Sequence, residues 1–295
     1  MSKGILSSVM ASCLFAVMYF YTSLLAPLDG EEIFGWRTLL TLPCLTLFML
    51  VSKDWKRVGE LLARVRETPM LLLGMVGTSW LMGVQLWLFL WAPLHGRSLE
   101  VSMGYFLLPL AMVMTGRLVY GERLSRLQKV AVSCAALGVG HELYQNGSFA
   151  WETLLVMIGY PIYFVLRRRC RTDHLGGLWC DMCLLLPWAL YFVIQGPLSA
   201  ADLVEHPGLY GLIPLLGAIS ACALIAYVLA SRLLPFSLFG LLSYVEPVLL
   251  VGVALLLGET IGPDQWLTYL PIWAAVLVLV LEGFKHLLRQ RRRSV

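Results

Sequence analysis

Stretches of about 20 apolar residues recur along the whole chain, and each is long enough to cross a hydrocarbon layer of roughly 30 Å as a helix. With 59% of 295 side chains apolar and only 14% charged, there is too little polar surface to cover a soluble globule. The predicted fold class is an all-α integral membrane protein with ten transmembrane helices, over 4–25, 33–52, 70–92, 99–120, 127–143, 149–166, 177–195, 208–230, 236–257 and 263–283. The connections are short, the longest being the basic segment 53–69. The opening run after Lys3 is longer than a signal-peptide core, and its exit, "SLLAPLDGEE", offers no small-x-small cleavage site. It reads as an uncleaved first span.

Basic residues set the orientation, because Lys and Arg flanking spans stay mostly on the cytoplasmic side. With both termini cytoplasmic, 20 of the 22 Lys and Arg residues fall inside, leaving Arg97 in an outer loop and Arg37 within a span. The net charge of +4 is then a topological signal. The ending "RQRRRSV" fits a lipid bilayer with anionic headgroups as partner and gives no reason to expect nucleic acid.

The sequence also repeats itself. Span 4 and its exit run Ser98, Pro109, Gly121-Glu122-Arg123; span 9 and its exit run Ser237, Pro247, Gly258-Glu259. Pro43 and Pro187 sit centrally in spans 2 and 7. This divides the chain into five-helix repeats at 1–146 and 147–284, followed by a basic cytoplasmic tail at 285–295. Five is odd, so the second repeat enters the membrane from the opposite side. Inverted repeats of this kind are associated with carriers that expose a midplane site alternately to the two sides.

The stretch "LEVSMGYFLLPLAMVMTGRLVYGERL", the Trp36-Arg37 pair, "LFLWAP", and the Gly-Glu closing each half together resemble the EamA/RarD-type branch of the drug/metabolite transporter superfamily, over essentially the whole chain. One departure is Gln85-Leu86-Trp87, where an Asn-Trp pair is usual in the family. The resemblance implies a ten-helix carrier of the bacterial inner membrane for small metabolites or drugs, usually an exporter, with no ATPase subunit.

A charge near the bilayer centre costs about 2.5–3.5 kcal/mol on insertion scales, so such groups usually face a cavity, pair or act. Few lie within these spans, namely Arg37, Glu100, Asp181 and Glu246, and of these Arg37, Glu100 and Glu246 are candidate site residues. Glu246 is placed deepest, beside Pro247 and three residues after Ser243; it reads either as a proton- or substrate-binding group or as a structural acid. Arg37 and Glu100 are placed at similar depth and are expected to pair as an outer gate, the alternative being two interfacial side chains reaching for water. Tyr105 and Tyr244 neighbour the proline-and-acid elements and could stack on a flat substrate or close over a cation. Gln85 and Trp87 join the candidates from the departing segment. Pro43, Pro109, Pro187 and Pro247 are candidate helix breaks.

Cys180 and Cys183 form a CxxC, but two ligands on one helix face without a second pair do not make a tetrahedral metal site. No metal, cofactor or enzyme activity is expected, since no Walker loop, H-E-x-x-H or G-x-S-x-G occurs. The expected function is proton-exchange export of a small molecule by alternating access. Amphenicol-like drugs, amino-acid derivatives and amino-acid-derived metal chelators are the cargo classes. Uptake on the same scaffold is the alternative, with an intramembrane enzyme or a non-transporting membrane protein as readings of a different class.

Overall fold

The computed structural model describes residues 2–121, 125–146, 150–196, 205–234, 242 and 244–293, and among these it contains helices and no strands. The helices are α1 (Ser2–Tyr21), α2 (Gly30–Val51), α3 (Lys56–Glu67), α4 (Met70–Leu94), α5 (Ser98–Tyr120), α6 (Arg126–Asn146), α7 (Trp151–Cys170), α8 (Leu175–Gln195), α9 (Leu209–Leu233), α10 (Val245–Leu256) and α11 (Trp266–Arg293). Six of them, α1, α2, α4, α5, α8 and α9, are long and apolar enough to cross a membrane, and α10 is a shorter apolar helix. The chain is a multi-pass membrane protein. Helices also occupy the expected spans 5, 6 and 10 as α6, α7 and α11; α7 ends in Arg167-Arg168-Arg169, and α11 runs on through the basic tail to Arg293.

The helices gather into two compact units. The first comprises residues 1–13, 97–161 and 229–295. In it α5 packs on α6, α10 and α11, and α6 on α11. Leu99, Met103, Phe106, Leu107 and Leu110 recur at helical spacing along α5 and meet Ala131 and Ala135 of α6, Val251 and Ala254 of α10, and Ile272 and Ala275 of α11. The second unit comprises residues 14–96 and 162–228, where α8 packs on α2, α3 and α4. Both units draw on both halves of the sequence.

Pro43, Pro109 and Pro187 each lie inside a helix that runs on past them. A proline removes one backbone hydrogen bond, and a helix packed among neighbours tolerates that loss. Pro247 falls in the first turn of α10, where its missing N–H is not needed.

The segment 53–69, expected as a connection, holds a helix instead. Val58 and Leu61 of α3 are buried, while Lys56, Arg57, Arg64 and Arg66 share the same 12-residue helix, an amphipathic pattern short of a span. Arg64 donates from Nη2 to the Cys170 carbonyl (2.9 Å) and from Nη1 to the Arg171 carbonyl (3.1 Å), so it caps the C-terminus of α7. Trp55 meets Trp179 of α8 edge-on at 5.0 Å.

His174 caps the other side of this junction: its Nδ1 accepts the Gly177 N–H of α8 at 3.2 Å. Burial, then the charges of Arg57 and Arg167, holds the His174 imidazole below its ordinary pKa. A histidine whose folded pKa is depressed stabilises the fold above its unfolded pKa of about 6.5, and that contribution is lost as pH falls through the folded value. Thermal stability of the wild-type protein should therefore decline below that pH. His174→Asn keeps a capping acceptor and removes the titration, so its melting curve should lose this component; an unchanged pH slope would dismiss His174 as its source.

Candidate functional site

The head of α5 collects the first unit's charges. Arg97, the N-cap residue, grips Glu152 of α7 with two parallel bonds, Nε to Oε1 at 2.6 Å and Nη2 to Oε2 at 3.0 Å. Its remaining Nη1 reaches Glu100 Oε1, one turn on, at 2.8 Å. The hydrogen bond to Glu152 is the leading cause that holds the Arg97 guanidinium above its ordinary pKa. A third acid arrives from far along the chain. Glu259 accepts the Ser98 N–H at Oε1 and the Leu99 N–H at Oε2, both at 2.8 Å, satisfying two first-turn donors of α5 with a charge that suits a helix N-terminus.

The repeated Gly-Glu has a physical basis here. Gly258 follows α10 at φ +90°, a backbone conformation that favours glycine, and the Glu259 N–H turns back to the Ala254 carbonyl at 3.1 Å. That ends α10 and leads directly into the residue that caps α5. Gly121 ends α5 in the same left-handed region, φ +68°, while Glu122 and Arg123 of the matching motif lie outside the described residues.

The α5–α7 contact continues along both helices. Thr153 Oγ1 donates to the Glu100 carbonyl at 2.7 Å, and Gly104 lies so close that a Cβ there would sit 2.7 Å from Val156 Cβ. Tyr105 and Tyr160 follow, hydroxyl to hydroxyl at 3.1 Å with ring centroids 5.8 Å apart. Tyr105 thus belongs to the same helix pair as Glu100, joined to it through α7.

Arg37 and Glu100, expected as partners, belong to different units, and each has a partner within its own. Arg37 is buried on α2; its Nε donates to Ser220 Oγ of α9 at 2.9 Å, and its guanidinium carbon lies 5.9 Å from the Phe89 ring centroid. Gln85 is buried on α4, one turn before Phe89. Trp87, on the same helix, donates to Glu31 Oε1 at 3.0 Å, and Trp36 donates to Glu32 Oε1 at 3.4 Å, so both indoles serve the acidic start of α2.

A second charge cluster lies in this unit. Arg167 and Asp181 are both buried and meet at 3.3 Å. Arg167 also donates to Tyr163 OH at 2.5 Å, to the His174 carbonyl at 2.9 Å and to the Thr172 carbonyl. Asp181 accepts from Thr78 Oγ1 at 2.8 Å, and its carbonyl accepts from Ser79 Oγ at 2.8 Å. Asp181 stood out in the sequence as a charge within a span; Arg167, one of three consecutive arginines, looked like a topological signal only.

Glu246 stands in the first turn of α10, half-buried, next to the buried ring of Tyr244, the N-cap residue. An acid in a first turn complements the helix dipole. Ser243 lies outside the described residues. Among the described residues no group of three or more His, Cys, Asp and Glu side chains could hold a metal ion.

No family model matches the chain, but relatives match it nearly end to end. It is 44% identical over 294 residues to the chloramphenicol-sensitive protein RarD of Pseudomonas aeruginosa, covering 99% of this chain and 98% of that one. It is 41% identical over 290 residues to an uncharacterized transporter of Pasteurella multocida, covering 98% and 99%. The protein RarD of Salmonella typhi is 27% identical over 289 residues, covering 95% of each. A solved crystal structure shares the fold at a TM-score of 0.55 with 18% identity, over 95% of this chain and 98% of that one. With such identity sustained along nearly its full length, the chain belongs to the EamA/RarD-type branch of the drug/metabolite transporter superfamily.

Proposed function

We propose that the protein is a secondary carrier of the bacterial inner membrane that exports a small molecule in exchange for protons by alternating access. In this reading ten spans form two inverted five-helix repeats with both termini cytoplasmic, and Glu246, Glu100, Arg37, Tyr105, Tyr244, Ser243, Gln85 and Trp87 are the substrate-binding or proton-coupling residues. The observation that carries it is the cluster of Arg97, Glu100, Glu152 and Glu259 in a chain built of membrane-length helices. Ionisable groups are expensive in hydrocarbon and are kept where a polar path needs them. The relatives named as transporters support the same class, and the name of the Pseudomonas aeruginosa relative supplies a first cargo to test.

Inverted membrane vesicles carrying the protein and loaded with an acidic interior should accumulate radiolabelled chloramphenicol or another member of the three cargo classes, and a protonophore should abolish accumulation. Accumulation in right-side-out vesicles instead would establish the uptake alternative. If neither vesicle type moves any of these solutes beyond vesicles lacking the protein, the carrier reading falls.

A further inference from the structure

We infer that the cleft between the starts of α3 and α8 holds the phosphate of an anionic phospholipid whose acyl chains lie along the exposed apolar end of α2. The cleft has a volume of about 470 Å³, within the roughly 300–1,000 Å³ usual for small-molecule sites, and is lined by Lys53, Asp54, Lys56, Arg57, Glu60 and His174. All six belong to the second unit. The inference concerns a bound lipid and not a transported solute, so it stands or falls apart from the carrier reading.

The charge of the cleft favours an anion. Its three cations, Lys53, Lys56 and Arg57, outnumber its two carboxylates, Asp54 and Glu60. Asp54 is engaged by Arg57 at 3.5 Å and by the Ser52 hydroxyl at 3.2 Å, whereas neither Lys53 nor Lys56 is held in an ion pair by a described residue. Two helices also begin at its wall: Lys56 and Arg57 open α3, and His174 is the N-cap of α8. Gly176 brings these starts together, since a Cβ there would stand 3.1 Å from the Arg57 carbonyl carbon. Each helix start adds about half a positive charge.

Lys53 sits where the backbone would favour another residue. It ends α2 at φ +60°, in the left-handed region, with its N–H returning to the Leu50 carbonyl at 3.3 Å and the Asp54 N–H to the Met49 carbonyl at 3.1 Å. Glycine closes a helix in this way with less strain. What lysine adds there is an ammonium on the wall of the cleft.

Depth and apolar surface select a lipid over a free phosphate. With 22 residues, α2 spans about 33 Å, enough to cross the hydrocarbon, and the cleft follows its last turn. That sets the cleft at the level of the headgroups. Leu47, Leu50 and Val51, spaced to share one side of α2, are each more than half exposed just before Lys53. Trp55, partly exposed beside them in sequence, is the kind of residue that such a boundary accommodates.

The test uses the delipidated full-length protein in detergent at low salt, with thermal stability read against dioleoylphosphatidylglycerol, dioleoylphosphatidylcholine and sn-glycerol 3-phosphate. Phosphatidylglycerol should raise the melting temperature in a saturable way, phosphatidylcholine much less, and glycerol phosphate, which lacks the chains, hardly at all. Lys53→Gly and Lys56→Gln should each weaken the apparent Kd for phosphatidylglycerol about fivefold, and the double variant about twenty-five-fold. Without lipid, Lys53→Gly should melt no lower than wild type, so that its lost affinity is not lost folding. Arg66→Gln, on the same helix but outside the cleft, should bind like wild type. Equal stabilisation by phosphatidylcholine, or unchanged affinity in the double variant, would overturn the site. A loss in Arg66→Gln as large as in Lys56→Gln would replace it with a diffuse basic surface, and glycerol phosphate acting as strongly as the lipid would replace the lipid with a free anion; either result overturns the inference.

Discussion

Arg167→Ala should destabilise the protein by about 3–5 kcal/mol, the range for removing one member of a buried ion pair. Four acceptors lose a donor at once: the Asp181 carboxylate, the Tyr163 hydroxyl and the carbonyls of Thr172 and His174. Asp181 is 1% exposed, so water does not replace the guanidinium; Thr78 and the Tyr163 hydroxyl remain as its uncharged side-chain partners. The loss should appear as a large drop in detergent-solubilised melting temperature and in the yield of monodisperse protein. Asp181→Asn should be damaging in its own right, since it leaves the buried guanidinium without its counter-charge. The double variant Arg167→Met with Asp181→Asn removes both charges while keeping much of the volume, so it should be less destabilised than the sum of the two single changes. If the double variant is as poor as that sum, to within about 0.5 kcal/mol, the pair is not coupled and the carbonyl contacts of Arg167 account for its effect.

This cluster illustrates what hydropathy can and cannot read. Apolar runs announce the membrane helices, because length and composition alone decide whether a segment can cross. They hide α3, whose apolar residues Val58 and Leu61 are spaced for a helix lying among basic residues, a pattern visible only to a test for amphipathicity. They also hide Arg167. In sequence it is one of three arginines at the end of a span; in the structure it is buried while Arg168 and Arg169 are not. The available clue was the spacing Tyr163 to Arg167, one helical turn, together with a lone Asp181 that had to find a cation.

Depth alone does not name the partners found within each unit. Arg37 and Glu100 are placed at similar depth by counting residues, yet Arg37 bonds to Ser220, 183 positions away, and Glu100 to Arg97, three positions back. The i,i+3 spacing of Arg97 and Glu100 was readable, whereas nothing local distinguishes Ser220 from the other small residues of α9. The Gly-Glu pair at 258–259 was conspicuous as half of a repeat, but its task is tertiary. Its carboxylate caps a helix 160 residues earlier, and no local pattern carries that information.

Arg97→Ala should be the most damaging substitution in the first unit, by about 3 kcal/mol or more, and more damaging than loss of either acid it binds. Removing the guanidinium leaves Glu152, 1% exposed, without its two-bonded partner, and sets Glu100 and Glu259 beside it with no cation among them. Both desolvation and like-charge repulsion then act in the same direction. Glu100→Gln removes one carboxylate from a surplus and should cost far less, and Glu152→Gln is intermediate because Arg97 keeps Glu100. Arg97→Lys keeps the charge but cannot make two parallel bonds to one carboxylate while reaching another, so it should recover only part of the loss. Combining Arg97→Ala with Glu152→Gln should restore stability relative to Arg97→Ala alone, because the acid left buried and unpaired is then gone. The expected order of melting temperatures is wild type, Glu100→Gln, Glu152→Gln, Arg97→Lys, and last Arg97→Ala, with the double variant above Arg97→Ala. An Arg97→Ala protein as stable as Glu100→Gln would mean that the three carboxylates do not depend on their shared cation, and the electrostatic account of the α5 head would fail with it.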